Sequence, residues 1–342
     1  MLLSCGTNVI SSNSTSLARV ELPMVKENIK QIECGIDTSF VLTDQGDLYF
    51  WGSLSNLISF NHPVKLNNGY KIKTMSTKNK HIAAVDDSGN VIIWGSNQHC
   101  HFSNRKEISI ETPQILRLNP EKAISVSCGG YFTLILLENG EVMSLGINHD
   151  NILGLERAID VMNIPTKIDS RLFGNEKVSQ ISAGWSHSCI LTESGKVYSW
   201  GRQSEGRLGH DNGDSITQIT MNIDDAVDSV CCGDTNTFCI KNGIAKATGM
   251  NNYGENGVGD TKPRKHLRSI KGIDKKIKKI ASCADHTITL TEDGSVYGIG
   301  FNENNKMGLI TETIFLKPEK IITGHKVENI SSSNSHTLFL VE

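Results

Sequence analysis

The sequence predicts an all-β protein, a seven-bladed β-propeller of one domain, and three regularities carry that prediction. Pairs of glycines six residues apart recur as Gly46/Gly52, Gly89/Gly95, Gly140/Gly146, Gly195/Gly201, Gly243/Gly249 and Gly294/Gly300. Gly6, in LLSCGTN, takes the role of a further second glycine, and from Gly6 to Gly300 is 294 residues in six steps, a mean period of 49. A chain of 342 residues then holds almost seven periods, and a fixed period of this length marks a repeat architecture. Six of the seven prolines (Pro23, Pro63, Pro113, Pro165, Pro263, Pro318) fall at one place in the repeat.

Each unit reads as antiparallel strands. In Ile181–Gly209, the clearest copy, Ser188–Thr192 and Lys196–Trp200 alternate and are rich in Val, Ile, Tyr and Trp, as strands are. Glu193-Ser194-Gly195 between them is a hairpin turn whose glycine takes the positive φ without a Cβ penalty. Asp44-Gln45-Gly46, Asp87-Ser88-Gly89, Glu138-Asn139-Gly140, Lys241-Asn242-Gly243 and Glu292-Asp293-Gly294 repeat it. A preceding strand runs through Val178–Ala183, with counterparts at Ile29–Cys34, Ile124–Cys128, Val227–Cys232 and Ile277–Ser282. The prolines mark a fourth, edge strand, because proline gives no donor to a ladder.

Four strands repeated radially make a propeller blade. A solenoid is the alternative, but it wants a polar capping repeat at each end. Here Val327–Val341 supplies the first two strands of a blade, while LLSCG and a strand near Pro23 supply the other two. The single domain is thus 1–342, with 1–25 and 327–342 forming the blade that closes the ring and removes free sheet edges.

Charged residues are 21% and hydrophobic ones 38%, so disorder is not indicated. No apolar run is long enough to form a spanning helix. MLLSCGTN lacks a basic start and is not read as a signal peptide, and LFLVE matches no prenylation or retention signal. Nine cysteines with no CxxC pair and no disulfide spacing fit an intracellular chain, cytoplasmic or nuclear. Cys34, Cys128 and Cys232 each precede a repeat glycine, and Cys5 takes the slot of Trp200; all are expected as buried apolar residues. Gln98-His99-Cys100-His101 has no second ligand pair beside it, and NNYGENGVGD follows a blade strand rather than opening a helix, so neither is read as a metal site or a phosphate loop. No cofactor or metal is expected.

Val197-Tyr198-Ser199-Trp200-Gly201 followed by Arg207-Leu208-Gly209 resembles the repeat of the regulator of chromosome condensation family, and Leu48–Gly52 and Val296–Gly300 are close to it. The resemblance covers essentially the whole chain and implies a seven-bladed propeller that binds protein partners. In the family's nucleotide exchange factor for the small GTPase Ran, an aspartate directly before a third-repeat histidine is important for exchange. Here the third repeat reads Gly129-Gly130-Tyr131-Phe132, while Asp285-His286 carries the dipeptide three blades further on. The family's basic chromatin tail has no counterpart, so stable nucleosome binding is not implied.

His81, His187, His286 and His336 share one repeat position. A ring spreads them around its circumference, so a structural hydrogen bond within or between blades is expected of them. Asp37 and Asp285 stand immediately before this position and Asp234 two before it; they are candidate partner-binding residues. A second candidate surface is basic. Lys262, Arg264, Lys265, Arg268, Lys271, Lys275, Lys276, Lys278 and Lys279 face only Asp274 in residues 262–279, a net charge of +8 in a chain of net charge −3. Such asymmetry attracts an acidic partner. No nucleophile–base pair or paired carboxylates stand out. The expected function is that of a monomeric protein-interaction propeller, a regulator or guanine nucleotide exchange factor of a Ran-like GTPase; the alternative is a scaffold docking an acidic partner through 262–279.

Overall fold

In the computed structural model the described residues are 1–7, 17–23, 28–54, 58–66, 69–97, 109–116, 118, 120–155, 160–213, 216–219, 226–311 and 313–342. The Gln98–His101 motif lies outside them. They form seven four-stranded antiparallel sheets, each a blade. From blade 1 to blade 7 the innermost strands are Ile29–Cys34, Ile72–Lys78, Ala123–Cys128, Val178–Ala183, Ser229–Cys232, Ile277–Ser282 and Val327–Ser332. The strands expected from Ile124 and Val227 start at Ala123 and Ser229 instead.

The second strand of each blade is buried on both faces. In blade 3, Phe132–Leu137 is buried at every position. Alternate side chains of a strand point opposite ways, so Leu134 and Leu136 pack toward blade 4 while Ile135 and Leu137 pack toward blade 2. The described residues hold seven hydrophobic clusters, and each draws its side chains from two neighbouring blades. The core of the molecule is therefore seven seams rather than one centre.

Backbone hydrogen bonds repeat at these seams. The turn glycines Gly46, Gly89, Gly140, Gly195, Gly243 and Gly294 each accept, through their carbonyl oxygen, from the amide of Ile72, Ala123, Val178, Val227, Ile277 or Val327 on the next blade, at 2.8–3.1 Å. A Cβ on Gly140 would meet Lys177 Cβ at 2.7 Å. The glycine that makes the hairpin thus also admits the next blade.

The prolines behave as edge markers. Pro63, Pro113, Pro165 and Pro318 lie within fourth strands, each inside a register shift against the third strand. A bulge leaves a residue out of the ladder, and proline has no donor to lose there. Pro263 immediately precedes the fourth strand Arg264–Ser269. Pro23 is a correction: the closing strand is Ala18–Arg19, pairing with Ser4 and Leu3, and ends before the proline.

Blade 7 contains both ends of the chain. Leu2–Gly6 pairs with His336–Val341 from Leu2↔Leu340 to Gly6↔His336, and the Met1 amine donates to the Val341 carbonyl oxygen at 2.8 Å. The loops after the third strands share a clip. Buried Asn148, Asn251 and Asn302 accept, through Oδ1, from the amide five residues on, at 3.0, 2.9 and 2.9 Å. Asn251 belongs to the glycine-rich NNYGENGVGD stretch, which opens no helix and leads to a strand.

Candidate functional site

Seven short connections join the first and second strands and surround one mouth of the central channel. Six have three residues, 35–37, 129–131, 184–186, 233–235, 283–285 and 333–335; in blade 2, where the innermost strand runs to Lys78, the same three places are held by Lys78, Asn79 and Lys80. The middle residues Ile36, Asn79, Trp185, Asp234 and Asn334 line the mouth, a cavity of about 30 Å³. Below it the channel, about 470 Å³, is lined by the innermost strands, including Gln31, Glu33, Ser76, Ser127, Ser182 and Lys279.

The loops are bonded to one another. Ile36 N donates to Asn79 O, Asn79 Nδ2 to Gly130 O, Gly130 N to Trp185 O, and Trp185 N to Asp234 O, at 3.0–3.3 Å. Ser335 Oγ donates to Ile36 O at 2.6 Å, and Ala284 N to Asn334 Oδ1 at 3.3 Å. Lys78 and Asp234, 156 positions apart, form an ion pair of 2.9 Å from blade 2 to blade 5. Burial works to lower the Lys78 ammonium, but the Asp234 carboxylate outweighs it and holds the pKa above the usual value. Trp185 stands beside this pair, packed edge-on against Tyr131 with ring centres 5.9 Å apart.

The three candidate aspartates share this face but not one environment. Asp234, a middle loop residue, is buried at the mouth. Asp37 and Asp285 are third loop residues and lie outside the mouth lining. Asp37 pairs with Lys80 at 3.4 Å. Asp285 accepts from Lys306 Nζ at 2.7 Å and from His286 Nδ1 at 3.0 Å. Burial pushes the Asp285 carboxyl up, while His286 and Lys306 together hold it below the usual range.

Cys283 Sγ also approaches His286 Nδ1, at 3.3 Å. A Cys–His–Asp relay would use both ring nitrogens, one for the thiol and one for the acid. Here the thiol lies beside the ring edge, 3.3 Å from Nδ1 and 3.5 Å from Nε2, while Asp285 already holds Nδ1 at 3.0 Å and Ser332 Oγ holds Nε2 at 2.8 Å. Burial, then Asp234 and Asp285, push the Cys283 thiol well above its ordinary pKa. The contacts tie the loop to the second strand of its blade and to Ser332 of the next, and burial keeps the thiol protonated.

The recurring histidines are inter-blade links. Nε2 of His81, His187 and His336 lies 3.2, 3.1 and 2.8 Å from Thr133, Thr237 and Ser39 on the next blade's second strand. Burial is the main force lowering the pKa of His81, to about 4, and of His336, to about 3. The repeat cysteines do a parallel job. The amides of Cys34, Cys128 and Cys232 donate to Ser331, Ser76 and Ser182 Oγ of the preceding blade at 2.8–3.0 Å.

The basic stretch is divided among three locations. Lys262 precedes, and Arg264, Lys265 and Arg268 lie on, the outer strand Arg264–Ser269 of blade 5. Lys275 and Lys276 lie in the link to blade 6, and Lys278 and Lys279 on the innermost strand Ile277–Ser282. Lys279 Nζ donates to Asn329 Oδ1 at 2.7 Å, and both Lys278 and Lys279 line the channel. Arg264, Lys265 and Lys275 pair with Asp260, Asp211 and Asp293. The sequence run thus gives no single patch.

Sequence reasoning missed Lys78, Asn79 and Trp185. Their signal was their place in the loop, two or three residues before the shared histidine position.

Seven blades, a ring closed by both ends of the chain and short matching loops around one channel mouth define the propeller class to which this protein belongs. The match to the RCC1-like domain over residues 4–266 and 57–342 gives the family, and the chain belongs to it. The ultraviolet-B receptor UVR8 of Arabidopsis thaliana is 33% identical over 230 residues, 64% of this chain and 51% of UVR8. The human E3 ubiquitin-protein ligase HERC2 is 23% identical over 349 residues, 94% of this chain and 7% of HERC2. The chain therefore spans about half of one relative and a small part of the other. Among solved structures, human WBSCR16 superposes with a TM-score of 0.86 at 17% identity, covering 100% of this chain and 99% of that one. Prp20p of Saccharomyces cerevisiae, whose structure was reported with its binding properties to Gsp1p and histones, gives 0.80 at 18%, covering 99% and 90%. No helix among the described residues is long and apolar enough to cross a membrane.

Proposed function

We propose that this propeller docks a protein partner on the loop face around Trp185, Lys78 and Asp234, and that the partner is a small GTPase of the Ran class. The observation that carries this is the run of bonded loops from blade 6 round through blade 7 to blade 5. It presents an aromatic side chain and a charge pair from a surface already ordered, and a preordered surface loses little entropy on binding. The family supports the choice of partner, since the structure of Prp20p was reported with its binding to Gsp1p. Action on the GTPase would need no covalent step. Binding the nucleotide-free form better than the loaded form promotes release by differential affinity alone.

The test is release of fluorescent GDP from a panel of small GTPases, with and without the protein. Acceleration on one member is expected. Trp185→Ala should weaken that interaction by about 2 kcal/mol or more, as buried aromatic anchors do. A folded protein that accelerates none would overturn the exchange role and leave a scaffold. The scaffold reading then rests on exposed Lys262, Lys265 and Arg268 at the outer edge of blade 5. Reversing these three charges, with capture read against salt, tests it separately.

A further inference from the structure

The seam between blades 4 and 5 differs from the other six at one position. Three seams combine a histidine at the start of one second strand with a cysteine at the end of the neighbouring innermost strand: His336 with Cys34, His81 with Cys128, His187 with Cys232. Two residues beyond the shared histidine position the other second strands carry Phe40, Ala83, Leu134, Phe238, Ile288 and Leu338; blade 4 carries Cys189. One donor atom from each of His187, Cys189 and Cys232 lies within 4.8 Å of the others. The three residues are 0%, 0% and 6% exposed. Thr237 Oγ1, on blade 5, stands 3.1 Å from His187 Nε2 and 3.7 Å from Cys189 Sγ, so an oxygen bounds the fourth side.

We propose that His187, Cys189 and Cys232 bind a zinc ion across the seam between blades 4 and 5, with the Thr237 hydroxyl completing a tetrahedral set. Zinc takes sulfur and imidazole donors at about 2.3 and 2.0–2.1 Å, which sets neighbouring donors roughly 3.5–3.8 Å apart. A small inward movement from the present spacing reaches that geometry. Charge favours a divalent ion. Two thiolates, a neutral imidazole and Zn²⁺ sum to zero, the one total a dry seam holds without a counter-ion. On loading, both thiol protons leave to solvent, and nothing is oxidised or reduced. The site would join two blades whose shared apolar cluster contains Cys189, Cys232 and Cys239 and no aromatic ring. A second grouping, Cys283, Asp285 and His286, has comparable spacing. There Lys306 Nζ already sits 2.7 Å from Asp285, and its charge opposes a cation.

The experiment is metal analysis of the full chain purified from zinc-supplemented medium, followed by zinc titration of the metal-stripped protein. One zinc per chain is expected, with about two protons released per ion taken up near neutral pH. Cys189→Ala should abolish retention, and blade 2 already carries alanine at that position, Ala83. Cys283→Ala should retain the ion. Cobalt in place of zinc should show a thiolate-to-metal charge-transfer band that Cys232→Ala removes. Folded protein that takes up no zinc would overturn the proposal. So would equal retention by Cys189→Ala, or a Cys189–Cys232 disulfide in metal-free native protein. Should the variants fail to fold, proton release and the cobalt spectrum of the unaltered chain still decide the matter.

Discussion

A one-residue offset in a three-residue loop separates Asp234 from Asp37 and Asp285. The middle place faces the channel mouth and the third lies outside it, where Lys80 of the next blade pairs with Asp37 and where Lys306 and His286 hold Asp285. Trp200 shows how much a single side chain carries. It is fully buried and donates from Nε1 to Ile152 O on the preceding blade at 2.9 Å. Trp200→Ala should cost about 3–5 kcal/mol, read as a shift of the denaturation midpoint; a cost below about 1 kcal/mol would contradict this packing. Two kinds of buried group give opposite pH trends. His81 and His336 titrate normally once unfolded but only at about 4 and about 3 when folded. The unfolded chain therefore binds more protons between the ordinary value of 6.5 and those values, and stability falls as pH drops through that window. Burial raises Glu255 to about 7 from an ordinary 4.5. The folded state then holds the extra proton, and stability falls as pH rises through that range. The trends offset where they overlap, so variants separate them. Glu255→Gln should flatten the loss toward neutral pH, and His81→Gln the loss in acid, both measured as urea midpoint against pH.

At the scale of the strand and its turns, most of the architecture was legible because glycine and proline are placed by backbone geometry. Gly195 and Gly201 fix a hairpin and its partner strand wherever they occur, and proline finds the bulge of an edge strand. Gly201 has φ +105°, and a Cβ there would lie 2.9 Å from both His187 Cα and Ser186 O. Gly201→Ala should therefore destabilise by roughly 1–3 kcal/mol, seen as a lowered melting temperature; an unchanged one would mean the strand relaxes freely. What stayed hidden were contacts set by ring closure. Nothing in the spacing of Lys78 and Asp234 shows that blades 2 and 5 meet across the axis, and nothing in the repeat marks Ser182 as the acceptor for the Cys232 amide. The 262–279 run misled in the opposite way. Charge adjacent in sequence became an outer strand, a link and a channel wall, because a blade folds its strands from rim to axis.

At the scale of the whole molecule, blade 7 decides whether seven seams form or six. Removing Met1–Val20 takes away its two outer strands and leaves His336–Val341 as an open edge. The truncated protein should melt lower and self-associate, as sedimentation would report; a monomer with unchanged melting would contradict closure by this blade. The pairing also sets how the ring answers tension. Met1 and Val341 meet at one end of an antiparallel pair, so a pull applied between the two ends loads a single hydrogen-bonded pair at a time and peels Leu2–Gly6 away like a zip, whereas a pull along a blade's strands would have to shear all its pairs together. A pull between the two ends thus opens the joint that completes the circle one rung at a time.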